Sequence, residues 1–173
     1  MLAYVFSHRP AGGVDVADYE AALQRFHATL AGGRPQGFIS SSTFRVGDGY
    51  SDWYLVESSA ALDVLNEAAV SGARTQVHDA AARMAVDGVG KLLSLAGGEP
   101  TDGRSFEIRF SKPKGMAYAD LYEHMQPIAN RPGTSLWRRM MVLGPPPEFY
   151  LVSSSEIELP SEFRPEVLRR ESI

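Results

Sequence analysis

An internal repeat constrains this chain more than any other feature of its sequence. Phe6-Ser7-His8-Arg9-Pro10 returns as Phe110-Ser111-Lys112-Pro113, an offset of 104 residues (110 − 6). Arg34-Pro35, followed by Gly37 and a β-rich run, returns as Arg131-Pro132-Gly133 and another such run, an offset of 97 (131 − 34). Trp53-Tyr54-Leu55-Val56-Glu57-Ser58-Ser59 returns as Phe149-Tyr150-Leu151-Val152-Ser153-Ser154-Ser155, an offset of 96 (149 − 53). One such match arises easily by chance; three in the same order do not. The falling offset predicts shorter connections in the second copy. A length of 173 residues accommodates two small halves of this kind.

Each copy reads as strand, helix, strand, strand. In the first, Leu2 to Ser7 is a short β-rich run. Tyr19, Leu23, Phe26 and Leu30 then fall at i, i+4, i+7 and i+11, one apolar stripe of a helix. Ala31-Gly32-Gly33-Arg34-Pro35 stops that helix, because glycine suits a C-cap and proline cannot continue the ladder. Phe38 to Val46 and Ser51 to Val56 form a hairpin turned at Gly47-Asp48-Gly49, and a helix follows at Ala60 to Ala69. In the second copy Phe106 to Phe110 alternates strictly between apolar and polar residues. Tyr118, Leu121, Tyr122, Met125 and Ile128 make the helical stripe, and Thr134 to Leu143 with Glu148 to Val152 make the hairpin. The Ala-rich stretch from Thr75 to Leu95 reads as helical but is weakened by Gly88 and Gly90. A fourth strand is sought in Val86 to Leu95 for the first copy and in Ser153 to Leu159 for the second, with a short helix after Pro165.

These patterns predict an α+β fold made of tandem duplicated ferredoxin-like units. The expected organisation is a first repeat over 1–96, a linker over 97–103 and a second repeat over 104–173. Helices would cover one face of each sheet. The remaining faces need a partner, so packing one copy on the other would yield a pseudo-dimeric α+β barrel with room for a cavity.

The chain has no cysteine, which removes disulfides, thiolate catalysis and zinc–cysteine or iron–sulfur sites. Its net charge of −4 comes from interspersed residues, so no basic stripe exists for phosphates and no nucleic-acid partner is expected. No apolar run approaches the roughly 20 residues that span a bilayer, and the start lacks the basic leader of a signal segment. The expectation is a cytoplasmic, soluble protein with no membrane partner. A small-molecule ligand and homo-oligomerisation both remain open.

At the level of this pattern the chain resembles the dimeric α+β barrel superfamily. That group includes antibiotic-biosynthesis monooxygenases, EthD-like and NIPSNAP-like proteins, heme-degrading monooxygenases and chlorite-dismutase relatives. The stretch that carries the likeness best is Trp53-Tyr54-Leu55-Val56-Glu57-Ser58-Ser59-Ala60-Ala61-Leu62-Asp63, with His78 further on. The resemblance implies a barrel cavity for a small molecule and a monooxygenase-like activity, and an arginine in an apolar pocket would suit an aromatic or anionic substrate. It implies no required cofactor, although heme serves some branches. Neither Leu2–Ser7 nor Phe106–Ser111 contains the asparagine characteristic of the heme-degrading branch. The alternative is a non-catalytic protein whose faces serve oligomerisation or partner binding.

No metal site is expected, since His8, His27, His78 and His124 form no HxxxH or HExxH pair. His78 is the catalytic candidate, as a general base or a heme-iron ligand. The plainer reading, which the pattern favours, makes it a helix-flank histidine beside Val77, Ala81 and Met84. His27 and His124 flank apolar stripes and read as surface residues. If Phe106, Ile108 and Phe110 pack on helices, alternation turns Glu107 and Arg109 to the opposite face. One parity of the next strand places Trp137, Arg139 and Met141 on a common face, and the other pairs Arg138 with Met140. Arg109, Trp137, Arg139 and Met141 are therefore the candidate ligand-binding set, against the alternative of a Glu107–arginine salt bridge that closes packing.

Overall fold

A computed structural model describes residues 1–100, 105–141 and 144–173. Residues 101–103 of the expected linker, and the last two residues of the strand expected to end at Leu143, lie outside the described residues. By contacts the chain forms two compact units, Met1–Lys91 with Ser172–Ile173, and Leu92–Glu171.

The first unit runs β1 (Leu2–Pro10), α1 (Val16–Gly32), β2 (Phe38–Val46), β3 (Gly49–Val56), α2 (Ala60–Ala69), α3 (Arg74–Ala82) and the opening half of β4 (Ala85–Gly98). β3 lies between β1 and β2, antiparallel to both. Asp15 starts α1: its carboxylate accepts the backbone N–H groups of Ala17 at 2.9 Å and Asp18 at 3.1 Å, satisfying donors that the first turn leaves open. The four stripe residues of α1 are buried as their spacing predicts, and Ala22 and His27 join them.

The stretch expected to stay helical to Leu95 turns extended at Ala85. Two glycines and two valines between 86 and 90 disfavour a helix, and the segment lies beside β1. The glycines have a second role. A Cβ on Gly88 would stand 2.5 Å from the Phe6 ring, and one on Gly90 would stand 2.3 Å from the Tyr4 hydroxyl. Both rings can therefore lie over this strand only because it lacks side chains there.

The second unit runs from the closing half of β4 through β5 (Phe106–Phe110), α4 (Tyr118–Ala129), β6 (Thr134–Arg139), β7 (Phe149–Ser153), a 3-10 turn (Ser161–Phe163) and β8 (Glu166–Ser172). Its strands lie in the order β8, β5, β7, β6, with β4 on the far side of β6. Ser153 to Leu159 was the expected fourth strand, but β8 takes that place. The segment after Pro165, expected to hold a short helix, is this strand instead, because β5 offers it a ladder in which Ile108 pairs with Val167. Ile157 and Leu159 instead turn inward and complete a core with Ile108, Phe110, Leu121, Met125, Leu136, Phe149, Leu151 and Phe163.

Among the described residues no helix is long and apolar enough to cross a membrane.

Candidate functional site

Alternation along β1 sends Tyr4, Phe6 and His8 to the helix-covered face of the first sheet. Their partners on β3 are Tyr54, Asp52 and Tyr50, so a carboxylate enters the same layer as two aromatic rings and an imidazole. α1 supplies Tyr19, Leu23, Phe26 and Leu30 from above, α2 supplies Leu62, Leu65 and Asn66, and α3 supplies His78 and Ala81. Together they line a cavity of about 490 Å³, within the size range of small-molecule sites.

Polar groups converge on its wall. The Tyr19 hydroxyl lies 2.5 Å from Nδ1 of His8, and Nε2 of His8 lies 3.2 Å from Asp52 Oδ2. The Tyr54 hydroxyl donates to that same oxygen at 3.2 Å. From behind the wall, Nε2 of His27 stands 3.5 Å from Asp52 Oδ1. All five groups are shielded: Tyr19 is fully buried, and His8, His27, Asp52 and Tyr54 are each under a tenth exposed. His27, read from the sequence as a surface residue, is thus a buried one. Its place on the edge of the α1 stripe brings it over β3.

Burial alone would push the Asp52 carboxyl up. The two imidazoles beside it, His27 first and then His8, outweigh burial and hold the group well below the usual carboxylate range. The same carboxylate acts oppositely on its phenol neighbours. Burial first, then the charge of Asp52, pushes Tyr54 well above its ordinary value, and Tyr19 rises for the same two reasons with a further contribution from Tyr50. The arrangement is therefore an anionic carboxylate, an imidazole and a neutral phenol in a line. That line can pass a proton from the cavity to His8.

Of the sequence-derived candidates, His78 stands apart in the first unit, whereas Arg109 and Trp137 lie on either side of Tyr150 in neighbouring strands and the charge of Arg139 also reaches that phenol. His78 lies on the cavity wall with Nδ1 3.2 Å from Asp79 Oδ1 and its ring edge-on to Phe26. The other four belong to the second unit. Arg109 donates to Glu107 at 2.6 Å and sits over the Tyr150 ring. Trp137 is buried and donates to the Ser135 hydroxyl at 2.9 Å. Arg139 donates to the carbonyls of Met141 and Pro145, and the Met141 side chain is exposed. His8, Asp52 and Tyr19 went unnoticed as a group. The available signal was an aspartate in the middle of an otherwise aromatic and aliphatic strand.

Heme, used by some proteins of this fold, does not fit the cavity. It would bring two carboxylates, and no lysine or arginine lines the space among the described residues. Nδ1 of His8 and Nδ1 of His78 each already have a partner. The lining suits a neutral aromatic molecule.

The halves and their order of elements are those of an α+β fold built from ferredoxin-like units, the dimeric α+β barrel fold. Similarity to solved structures shows the same fold. A candidate monooxygenase from Lactobacillus acidophilus matches with a TM-score of 0.62 and 10% identity, over 99% of this chain and 93% of its own. An anthrone oxidase-like protein matches at 0.61 and 12%, over 99% and 91%. A candidate chlorite dismutase matches at 0.62 and 16%, over 99% and 94%. No family model and no curated protein matches the chain.

Proposed function

We propose that this protein is a monooxygenase-like enzyme that takes a neutral aromatic substrate into the cavity of the first unit and oxidises it with dioxygen. The observation that carries this reading is the buried Tyr19–His8–Asp52 line opening onto an aromatic-walled space. Dioxygen reacts slowly with closed-shell organic molecules and quickly with an electron-rich anion. An enzyme without a cofactor therefore needs to remove a proton from its substrate. Here Tyr19 takes that proton as it passes its own to Nδ1 of His8, and Asp52 holds the imidazole in register and stabilises the cation formed. Such a step never requires a free phenolate, which the raised Tyr19 value makes costly. His78, on the same wall, is placed to orient the substrate. The monooxygenase name of one structural neighbour supports the class, and the anthrone oxidase-like name of another suggests a probe.

Anthrone is that probe. Its methylene carbon loses a proton and is oxidised by dioxygen to anthraquinone, with one oxygen atom retained as the new carbonyl and the other released as water. Oxygen uptake above the spontaneous rate, and label from ¹⁸O₂ in the product, are expected for the intact protein. Tyr19→Phe and His8→Gln should each lower the rate about 10²–10⁴-fold, the usual contribution of positioned proton transfer. Uptake at the spontaneous rate, together with no quenching of tyrosine fluorescence by anthraquinone, would overturn the proposal.

A further inference from the structure

Arg109 lines a second recess, in the second unit, that the chemistry of the first does not use. Two residues before it on β5, and so on the same face of the strand, Glu107 is completely buried. Nε of Arg109 donates to that carboxylate at 2.6 Å. Arg170 of β8 stands 3.7 Å from its other oxygen, so two guanidiniums share one anion there. The Tyr150 ring lies beneath Arg109, its centroid 5.6 Å from the guanidinium carbon. These contacts hold a side chain that is only 20% exposed. Its two terminal nitrogens have no hydrogen-bond partner among the described residues. A guanidinium stays charged in proteins, and one held by Nε alone keeps its terminal fork open for an acceptor with two oxygens.

The recess is a crevice of about 630 Å³, a volume that suits a small molecule. Phe110, Phe163, Pro113, Pro146 and Pro147 give it an apolar surface, and Lys112, Lys114 and Arg164 bring further cations. Lys112 is fixed, since its Nζ donates to the Met116 carbonyl at 2.5 Å and lies 5.2 Å from the centre of the Tyr118 ring. Arg164 closes the 3-10 turn at φ 46°, in the left-handed region where a glycine would sit without cost. None of these three cations forms an ion pair among the described residues. The carboxylates on the crevice are Glu162 and Glu166, which leaves two positive charges in excess (4 − 2) on a chain of net charge −4. Glu166 is the cross-strand neighbour of Arg109, and its charge reaches the guanidinium without an ion pair between them.

We propose that this crevice is a binding site for a small carboxylate with a flat apolar body. The carboxylate spans the terminal nitrogens of Arg109, Lys112 and Arg164 supply the surrounding positive field, and the body rests on Phe110, Phe163 and the prolines. The site is independent of the oxygenase reading. Its preference is also the opposite one, because the cavity of the first unit has no lysine or arginine on its wall among the described residues.

The test is a titration of the ¹⁵N-labelled full chain with 2-naphthoate, and in parallel with 2-naphthalenemethanol, which keeps the rings and lacks the charge. Naphthoate should shift the backbone amides of Ser111, Lys112 and Arg164 to saturation, and the alcohol should bind there roughly tenfold or more weakly. Arg164→Gln, at an exposed position, should weaken naphthoate about two- to fivefold, and Glu166→Gln should tighten it by a similar factor. A purely structural role for these side chains would not produce opposite signs. Arg109→Gln should cost roughly tenfold or more. If that variant fails to fold with Glu107 left unpaired, the Arg164 and Glu166 variants decide. The proposal is overturned by naphthoate shifts confined to the first unit, by equal binding of the alcohol in the crevice, or by an affinity that neither charge change alters.

Discussion

The two units solve the same packing problem in opposite ways. In both, a sheet face alternating along its first strand meets a helix that carries an apolar stripe. In the second unit those side chains are Phe106, Ile108 and Phe110, and they close on Leu121 and Met125 into a filled core. In the first, the corresponding side chains are Tyr4, Phe6 and His8, and they line a space of about 490 Å³. The register makes the contrast specific. Phe110 pairs with Phe149 across the second sheet, where Phe6 pairs with Asp52 across the first. A position that holds a phenyl ring stacked 5.2 Å from its neighbour in one unit holds an ionised carboxylate in the other. The buried apolar core suits stability and the polar-walled cavity suits chemistry, because buried polar groups and empty volume both reduce the energy gained on folding.

Exchanging the two solutions is the strongest way to break this comparison. Phe149→Asp places a carboxylate in an apolar core with no imidazole to meet it, and loss of the folded state is expected, visible as a collapsed near-ultraviolet dichroism signal. A folded protein with native-like dispersion would show that the second core is not the filled structure described. Next in size, Leu151→Ala in that core should cost about 2–5 kcal/mol, while Leu62→Ala on the cavity wall should cost about 1 kcal/mol or less. Urea midpoints of the two variants measure the difference, and equal losses would remove the distinction between a packed and an open interior.

Acid provides a subtler test. The Asp52 value is lowered on folding, so its contribution to stability is complete above the ordinary carboxylate value near 4 and is lost as pH falls through and below it. The intact protein should therefore lose more stability between neutral pH and about pH 3 than Asp52→Asn does. Alkali acts on the phenols. Tyr54 and Tyr19 are raised on folding, so the folded state keeps protons that the unfolded chain releases, and stability should fall as pH rises above about 10. Tyr54→Phe should shrink that fall, as followed by thermal melts across the range. The smallest expected effect is local: Gly90→Ala should shift the Tyr4 ring and weaken anthraquinone binding a few-fold, with little change in melting temperature.

Much of the backbone plan could be read from the sequence. The two βαββ patterns, the helix stripes and the hairpin turns follow from local periodicity, and the first copy's fourth strand falls in the stretch named for it. The final repeat block was legible only in part. Aligned at an offset of 96, it equates Trp53 with Phe149, yet Trp53 pairs with Val5 and Phe149 with Phe110, so the two point to opposite faces of their sheets. The structural offset is 97, which matches Asp52 with Phe149. A one-residue slip in a strand inverts every side chain, and letters alone carry no sign of it.

The sequence by itself determined the α+β plan, the doubling of the unit and the surfaces that helices would cover, because each depends on residues close together in the chain. The tertiary structure alone decided that His8, Asp52, Tyr19 and His27 form one cluster. These residues come from two strands and a helix, and pairing between β1 and β3 sets their spacing. It also decided that the helix-covered face of the first sheet borders a cavity while that of the second closes into a buried core. Volume is a property of how elements pack, and the same alternation of apolar residues fits either outcome until the partners across the layer are known.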